Sequence, residues 1–469
     1  MKILLIYPPL DHVGVGGKSY STGDIYPPLG LAYIARVLEQ AGYDVRIIDA
    51  KAERLSIDKI LKRVSEFNPN IVGLSSSTPD FCITTSLAKK IKSLGNYTIF
   101  IGGPHVSALP EETIKEECFD YGIIGEGEHT AVELAGAISS GASKERLSGI
   151  KGIIFNNGSK IIRTSPRPYI ENLDTIPFPA RHLLPDAKRY RYSWYKHLPT
   201  VTIITTRGCP YQCIFCDRAV FGNRLRMRSI DNIMGEIEIL VNQYGIRGID
   251  IVDDLFTVSQ ERVEEFCSQL ISRKLKVAWS CMGRVDCMTP EILKIMKKSG
   301  CWQIAYGIES GNQDILDSIK KEITLEEAEK TVRWTRKANL EAIGLFIIGL
   351  PGDNGASMQD TLKFAKKLPL NKAVFFIIQP FPGSELYKTA LARGEISKDV
   401  EYRHYHKYFY SRKLAYTADG LSSDMLVKYR KKCYRDFYLK PVYLFNQLFK
   451  YSEVNELIDR TRNCFKTIF

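Results

Sequence analysis

No stretch of this chain reaches the roughly 18 consecutive apolar residues that a membrane helix requires. The opening "MKILLIYPP" has one lysine and a short apolar run, then two prolines and no small-residue cleavage site. It reads as a first strand and not as a signal peptide. Both absences set the expected location in the cytoplasm. The 11 cysteines form no disulfide framework; in a reducing compartment they serve as buried thiols, metal ligands or catalytic groups. Solenoid repeats and low-complexity tracts are missing. No G-x-G-x-x-G follows the first strand, which weakens a dinucleotide site, and no G-x-x-x-x-G-K-[ST] exists, which excludes a P-loop. A net charge of +12 comes without any stacking-sheet signature, so no nucleic acid is expected as a partner.

What is present is an ordinary soluble composition, 44% hydrophobic and 25% charged. At roughly 100–200 residues per domain, the length allows about two to four domains. Residues 1–145 alternate strand and helix patterns, from "KILLIYPP" and "LGLAYIARVLEQAG" to "YGIIGEGE" and "TAVELAGAIS". Such βα units predict a doubly wound, Rossmann-like parallel sheet covered by helices on both faces. Ligands of such sheets bind at the carboxyl ends of the strands, which here read "YPP", "SSSTPD", "GGPH" and "GEGE". Residues 146–195 differ. "GIIFNNGSKIIR" carries the Asn-Gly hairpin signal, and "ENLDTIPFPARHLLP" is rich in proline, as a linker over a domain junction would be.

From 196 to 395 the alternation resumes, with strands in "TVTIITTRGC", "GIDIVDD", "KVAWSCMGR", "CWQIAYGIES", "EAIGLFIIGLPGD" and "AVFFIIQPFPG". This pattern fits a partial (β/α)6 barrel, whose chemistry belongs at the carboxyl ends of its strands. Residues 396–469 form a basic, aromatic-rich region read as helical. Residues 401–469 hold 14 Lys/Arg against 7 Asp/Glu, so +7 of the +12 resides there. A solvated helical face accounts for it, and peripheral contact with an anionic membrane is the functional alternative.

"TTRGCPYQCIFCDR" follows the first barrel strand and places Cys209, Cys213 and Cys216 in C-x3-C-x2-C spacing, with no fourth cysteine nearby. Thiolates suit iron–sulfur clusters and zinc. A structural zinc ion takes four protein ligands, whereas three cysteines on a four-iron cluster leave one iron open. Cys267, Cys281, Cys287 and Cys301 are expected as buried structural thiols.

The stretch "RGCPYQCIFCDR", with Phe215 just before the last cysteine, is similar to the cluster motif of the radical S-adenosylmethionine (SAM) enzymes. The resemblance implies a [4Fe–4S] cluster on Cys209, Cys213 and Cys216. SAM would chelate the open iron and be cleaved reductively to methionine and a 5′-deoxyadenosyl radical. It also implies contacts to SAM at the strand ends. Asp253 or Asp254 of "IVDDLF" stand where the family more usually has "GGE", opposite the ammonium. Arg284 of "WSCMGRVD" offers a fork for the carboxylate. Glu309 of "YGIESG" would accept from the ribose hydroxyls. Gly349 and Gly352 of "FIIGLPGD" would let the adenine approach the backbone. Structural roles stay open for each: ion pairs for Asp253 and Arg284, a helix-start carboxylate for Glu309, turns for the glycines.

"GLSSSTPD", "IGGPHVSALPEE" and "IIGEGEHTAVEL" together resemble the cobalamin-binding domain of B12-dependent radical SAM enzymes, and "LDTIPFPARHLLP" resembles their junction. This implies cobalamin as a further cofactor, with Ser75, Ser76, Gly102, Gly103, Gly125, Glu126, Gly127 and Glu128 along its edge. The D-x-H-x-x-G motif of many cobalamin domains is missing. Asp11 and His12 are adjacent in "PPLDHVGVGG", so the lower face of the cobalt is expected to lack a histidine. The implied reaction is hydrogen abstraction from an unactivated carbon, then methyl transfer from methylcobalamin. A non-methylating cyclase or oxidase, akin to the anaerobic cyclase of chlorophyll synthesis or acting on lipid, is the alternative; a non-catalytic cobalamin or SAM sensor is another. A methylthiotransferase is disfavoured, because only Cys82 and Cys118 precede position 200. The implied partners are a small-molecule or lipid-like substrate and a reductant such as flavodoxin or ferredoxin.

Overall fold

The structure is a computed structural model; it describes residues 1–9, 25–190, 195–396, 402, 405, 414–418 and 420–440. Asp11, His12 and most of the basic tail lie outside the described residues.

The first sheet contains β1 (Lys2–Tyr7), β2 (Asp44–Asp49), β3 (Ile71–Ser75), β4 (Thr98–Gly102), β5 (Tyr121–Ile123), β6 (Ile153–Asn156) and β7 (Ile161–Arg163). Their order is β2-β1-β3-β4-β5-β6-β7. The strands from β1 to β5 are parallel, as their continuous apolar runs predict for a sheet buried on both faces. Chain order reverses at β1 and β3, the crevice where such sheets take ligands. The Asn-Gly hairpin, expected in the linker 146–195, instead extends this sheet: β6 pairs antiparallel with β5, and β7 with β6. Its turn is set by Asn157, whose Oδ1 accepts from the backbone N–H groups of Ser159 and Lys160. The physical reason is edge protection, since β5 would otherwise expose its unpaired backbone.

The second sheet contains β8 (Thr200–Ile203), and after a short ribbon of β9 (Thr206–Arg207) and β10 (Arg226–Met227), β11 (Gly248–Ile251), β12 (Ala278–Gly283), β13 (Cys301–Glu309), β14 (Glu341–Ile348) and β15 (Lys372–Ile377). The order β15-β14-β13-β12-β11-β8 is sequential and every pairing is parallel, which is the six-stranded open barrel expected. Within the tail, helix Ser423–Tyr438 closes the barrel's last edge. The N–H groups of Ala373 and Phe375 donate to the hydroxyls of Tyr438 and Tyr434, each at 3.2 Å. Tyrosine hydroxyls thus take the place of a missing neighbouring strand.

Candidate active site

The cysteine loop leaves the ribbon at the carboxyl end of the barrel. It is clamped from both sides: Ile214 N donates to Ile319 O at 3.2 Å, and Leu386 N donates to Ile214 O at 2.8 Å. Gly208 N donates to Asp254 Oδ2 at 2.9 Å. Cys213 is buried, Cys209 and Phe215 half-buried, and Cys216 exposed, so the trio opens toward solvent on one side. The thiols are not equivalent. A hydrogen bond from Cys216 lowers Cys213 to about 6 against its burial, and the charges of Lys321 and Arg284 lower it further. Burial raises Cys209. Among the described residues no three His, Cys, Asp or Glu side chains are grouped to hold one metal ion. A cubane cluster asks for something else, one thiolate on each of three irons, and the donor set fits it.

Around the loop stand the residues expected at the strand ends. The register of β13 against β14 shifts between Gly307 and Glu309, a bulge that re-aims the end of the strand. Glu309 there adopts φ +67°, in the left-handed region where a non-glycine residue is uncommon and marks a constrained site. Its carboxylate accepts from Lys321 Nζ at 2.8 Å, and both side chains are nine-tenths buried. A Cβ on Gly307 would collide with the Glu309 carboxylate and lie 3.0 Å from Lys321 Nζ, so that glycine makes room for the pair.

Arg284 is brought to the loop in an unexpected way. Its guanidinium lies 3.5 Å over the ring of Tyr211. Its fork, expected to await a ligand carboxylate, is filled by Asp286 through two 3.0 Å bonds. The reason is proximity: Asp286 begins the next turn, two residues on. Asp253 and Asp254 also separate. Both oxygens of Asp253 accept from Thr205, and burial pushes its carboxyl up to about 6. Asp254 is exposed and, among the described residues, accepts from Gly208 N. Gly349 and Gly352 occupy a positive-φ turn whose N–H groups at Gly349 and Leu350 are held by Asp353.

On the first sheet, Ser75 ends β3 and Ser76 follows it, beside Gly102 and Gly103. Ser76 N donates to Gly102 O at 3.0 Å. Gly103 has φ +104°, and a Cβ there would meet Ser76 O at 2.9 Å, whereas nothing stands within 4 Å of one on Gly102. Among the described residues the rim is therefore open and small, which fits a ligand laid on the backbone. Gly125 N donates to Ser107 Oγ at 3.0 Å, beside a cavity of about 190 Å³ shared with Ala219 from beyond the cysteine loop. Glu126 and Glu128, expected along the cofactor edge, are paired with arginines of the ribbon. Arg207 donates to Glu126 at 2.8 Å and to Glu128 at 2.6 Å, and Arg226 donates to both oxygens of Glu126. Gly127 is filled against Ile34, 2.9 Å from where a Cβ would stand, and faces the core. A buried carboxylate takes the nearest cation, and the ribbon supplies two.

Several residues carried no motif. Lys321 sits in "SIKKEI", an unremarkable charge run. Arg207 and Arg226 lie on a ribbon of two-residue strands, too short to read as elements. Gln379, two residues beyond β15, is 4% exposed, and neither amide atom has a hydrogen-bond partner among the described residues. Arg181 of the proline-rich junction donates to Glu236 at 2.8 Å, tying that segment to the barrel.

Comparisons with known proteins agree with this geometry. The family described as B12 binding domain matches residues 20–135, and the Radical SAM superfamily matches residues 203–365. An uncharacterized methyltransferase of Pyrococcus horikoshii is 36% identical over 96% of this chain and 95% of its own. An anaerobic magnesium-protoporphyrin IX monomethyl ester cyclase of Cereibacter sphaeroides is 28% identical over 94% of this chain and 71% of its own. A radical S-adenosylmethionine methyltransferase of Kitasatospora setae, solved with cobalamin and a [4Fe–4S] cluster, superposes with TM-score 0.72 at 18% identity, over 94% of this chain and 89% of that one.

Proposed function

The chain belongs to the radical SAM enzymes that carry a B12-binding domain, and on that premise we propose that it is a cobalamin-dependent C-methyltransferase. The observation that carries this reading is the direct contact between the two halves at their ligand ends. The ribbon bearing the cysteine loop is bonded to the loop that follows β5 of the first sheet. When bound, a [4Fe–4S] cluster with SAM supplies a 5′-deoxyadenosyl radical, and methylcobalamin supplies the methyl group.

The chain's own residues do the rest. Cys209, Cys213 and Cys216 would hold the cluster, and Phe215 would flank it. Lys321 and Arg284 supply positive charge that favours the Cys213 thiolate. Asp254, exposed and fixed at one oxygen, would accept from the SAM ammonium, while Asp253 braces Thr205. Glu309, held by Lys321, takes the ribose, and the turn of Gly349 and Gly352 takes the adenine. Arg284 meets the SAM carboxylate only by exchanging Asp286, so its standing role is to steady Tyr211 in the cysteine loop. Ser75, Ser76, Gly102, Gly103 and Gly125 form the cobalamin rim. In this reading the chain divides into 1–145, 146–195, 196–395 and 396–469, with the hairpin counted in the first unit. The substrate is a small or lipid-like molecule, and an external reductant such as flavodoxin or ferredoxin delivers the electron. No described helix is long and apolar enough to cross a membrane. The basic tail supplies peripheral contact if the substrate is a lipid.

The test is anaerobic incubation of the reconstituted protein with SAM, methylcobalamin, a reductant such as reduced flavodoxin or ferredoxin, and candidate substrates. Equal yields of 5′-deoxyadenosine and S-adenosylhomocysteine support methylation. Deoxyadenosine with substrate loss and no S-adenosylhomocysteine assigns the chain to cyclisation, the reaction named for the Cereibacter relative, or to oxidation. Neither product with retained cofactors would make it a sensor.

A further inference from the structure

Four charged side chains cross the junction between the halves, and all four are buried. Arg207 and Arg226 are each 4% exposed, Glu126 7% and Glu128 5%. Two cations meet two anions, so the cluster is neutral. Glu126 is its centre: it accepts from both arginines and, at 2.9 Å, from Ile170 N. Arg226 reaches on to the carbonyls of Ile170 at 2.9 Å and Phe221 at 3.0 Å. Aromatic faces close the sides, with Tyr33 and Phe221 against Arg207 and Tyr169 against Arg226.

The placement is specific. Arg207 and Arg226 are partners in the ribbon register, and Arg207 stands two residues before Cys209. Glu126 and Glu128 stand where β5 opens into helix Glu128–Ser139, on the rim of the first sheet. An apolar junction would hold two domains together without the cost of desolvating four charges. Apolar contact slides, whereas forked arginine bonds set both a distance and a direction. Interfaces between domains otherwise allow relative motion.

We propose that this buried ionic joint is a positioning device that fixes the cofactor rim of the first sheet at a set distance from the cysteine loop. Resting on the two-cofactor reading above, Arg207, Arg226, Glu126 and Glu128 are positioning residues. They keep the formation of the radical coupled to the transfer of the methyl group.

The test compares the holoenzyme with Glu126→Gln and with Arg226→Lys, which keeps the charge and loses the fork. Each is loaded with cob(II)alamin and its cluster is reduced. Magnetic relaxation of the cobalt signal by the cluster reports their separation and needs no substrate. The expected result is loss of the relaxation enhancement in both variants with iron and corrinoid content retained. With a turned-over substrate, methyl transfer per deoxyadenosine falls about tenfold, as a displaced reactant predicts. Unchanged relaxation in both variants, whatever happens to thermal stability, overturns the proposal. So does loss of both cofactors in both variants, which assigns the joint to folding alone. Failure of the unmutated protein to retain corrinoid is a separate outcome that overturns the two-cofactor reading itself.

Discussion

In the first sheet, Ile3, Leu4, Leu5 and Ile6 are all buried, so β1 presents apolar side chains to helices on both faces. In the second sheet, β13 and β14 alternate. Ile304, Tyr306 and Ile308 are buried against the helices, while Ala305 and Gly307 on the opposite face stay partly exposed. The difference is that a sandwiched sheet offers ligands only its rim, whereas an open barrel offers its interior as well. Thr202, Asp250, Ser280, Gln303 and Glu341 stand in register across five strands on that inner face. They form a polar floor in which Ser280 donates to Asp250 at 2.9 Å and Lys196 to Glu341 at 2.5 Å. Above it Val252 is 37% and Met282 49% exposed, an apolar wall left open.

The sharpest way to break this contrast is Cys213→Ala. If the barrel holds the chemistry, this variant loses the visible absorption of the cluster and all SAM cleavage, while corrinoid binding by the first sheet survives. Retained absorption would contradict the assignment.

A matched pair of glycines sharpens it. Gly73→Ala drives a Cβ into Phe100 and Leu5, and Gly307→Ala drives one into Glu309. Each costs about 1–3 kcal/mol of stability by overpacking. Only Gly307→Ala is expected to lower SAM cleavage per folded molecule, measured as deoxyadenosine at a temperature below both transitions. Equal activity in the two would remove Glu309 from the site.

The first sheet carries a pH dependence of its own. Burial lowers His105 to about 3, and the ring stacks on Phe81 at 3.9 Å. Because the folded pKa lies below the unfolded value near 6.5, the unfolded chain takes the proton first as pH falls. The contribution of His105 is fully present above that value and is lost at up to about 1.4 kcal/mol per pH unit below it. Denaturant midpoints between about pH 7 and pH 5 measure the slope, and His105→Phe should flatten it. An unchanged slope would mean that the ring charges in place.

The smallest effect is expected at Gln379. Gln379→Leu removes two buried groups that have no partner among the described residues and should stabilise the ligand-free protein by about 1 kcal/mol. Its cost should appear instead as weaker binding of SAM or substrate, read by titration. A loss of stability would show that the amide has a structural partner.

Much of this was legible in the sequence because the signals are local. C-x3-C-x2-C lies on one loop, and the apolar strand runs and short turns carry their own periodicity. The hairpin was legible as a hairpin but not as part of a sheet, since Tyr121 and Phe155 meet only when the edge of β5 needs a partner. Glu126 and Glu128 read as a cofactor edge because their loop does end a strand. Arginines some 80 to 100 positions away took them instead. Lys321 was invisible for the same reason, being one lysine among many until the bulge at Glu309 turned a carboxylate toward it.

The sequence by itself determined the two sheets, the cysteine trio and the strand ends that carry ligand chemistry, because each depends on residues within a few turns of one another. Only the tertiary structure decided which charges pair. Burial makes an unpaired charge too costly to keep, so Glu309, Glu126 and Glu128 found partners that spacing along the chain could not show. The same rule joined the two halves at one neutral cluster beside the cysteines.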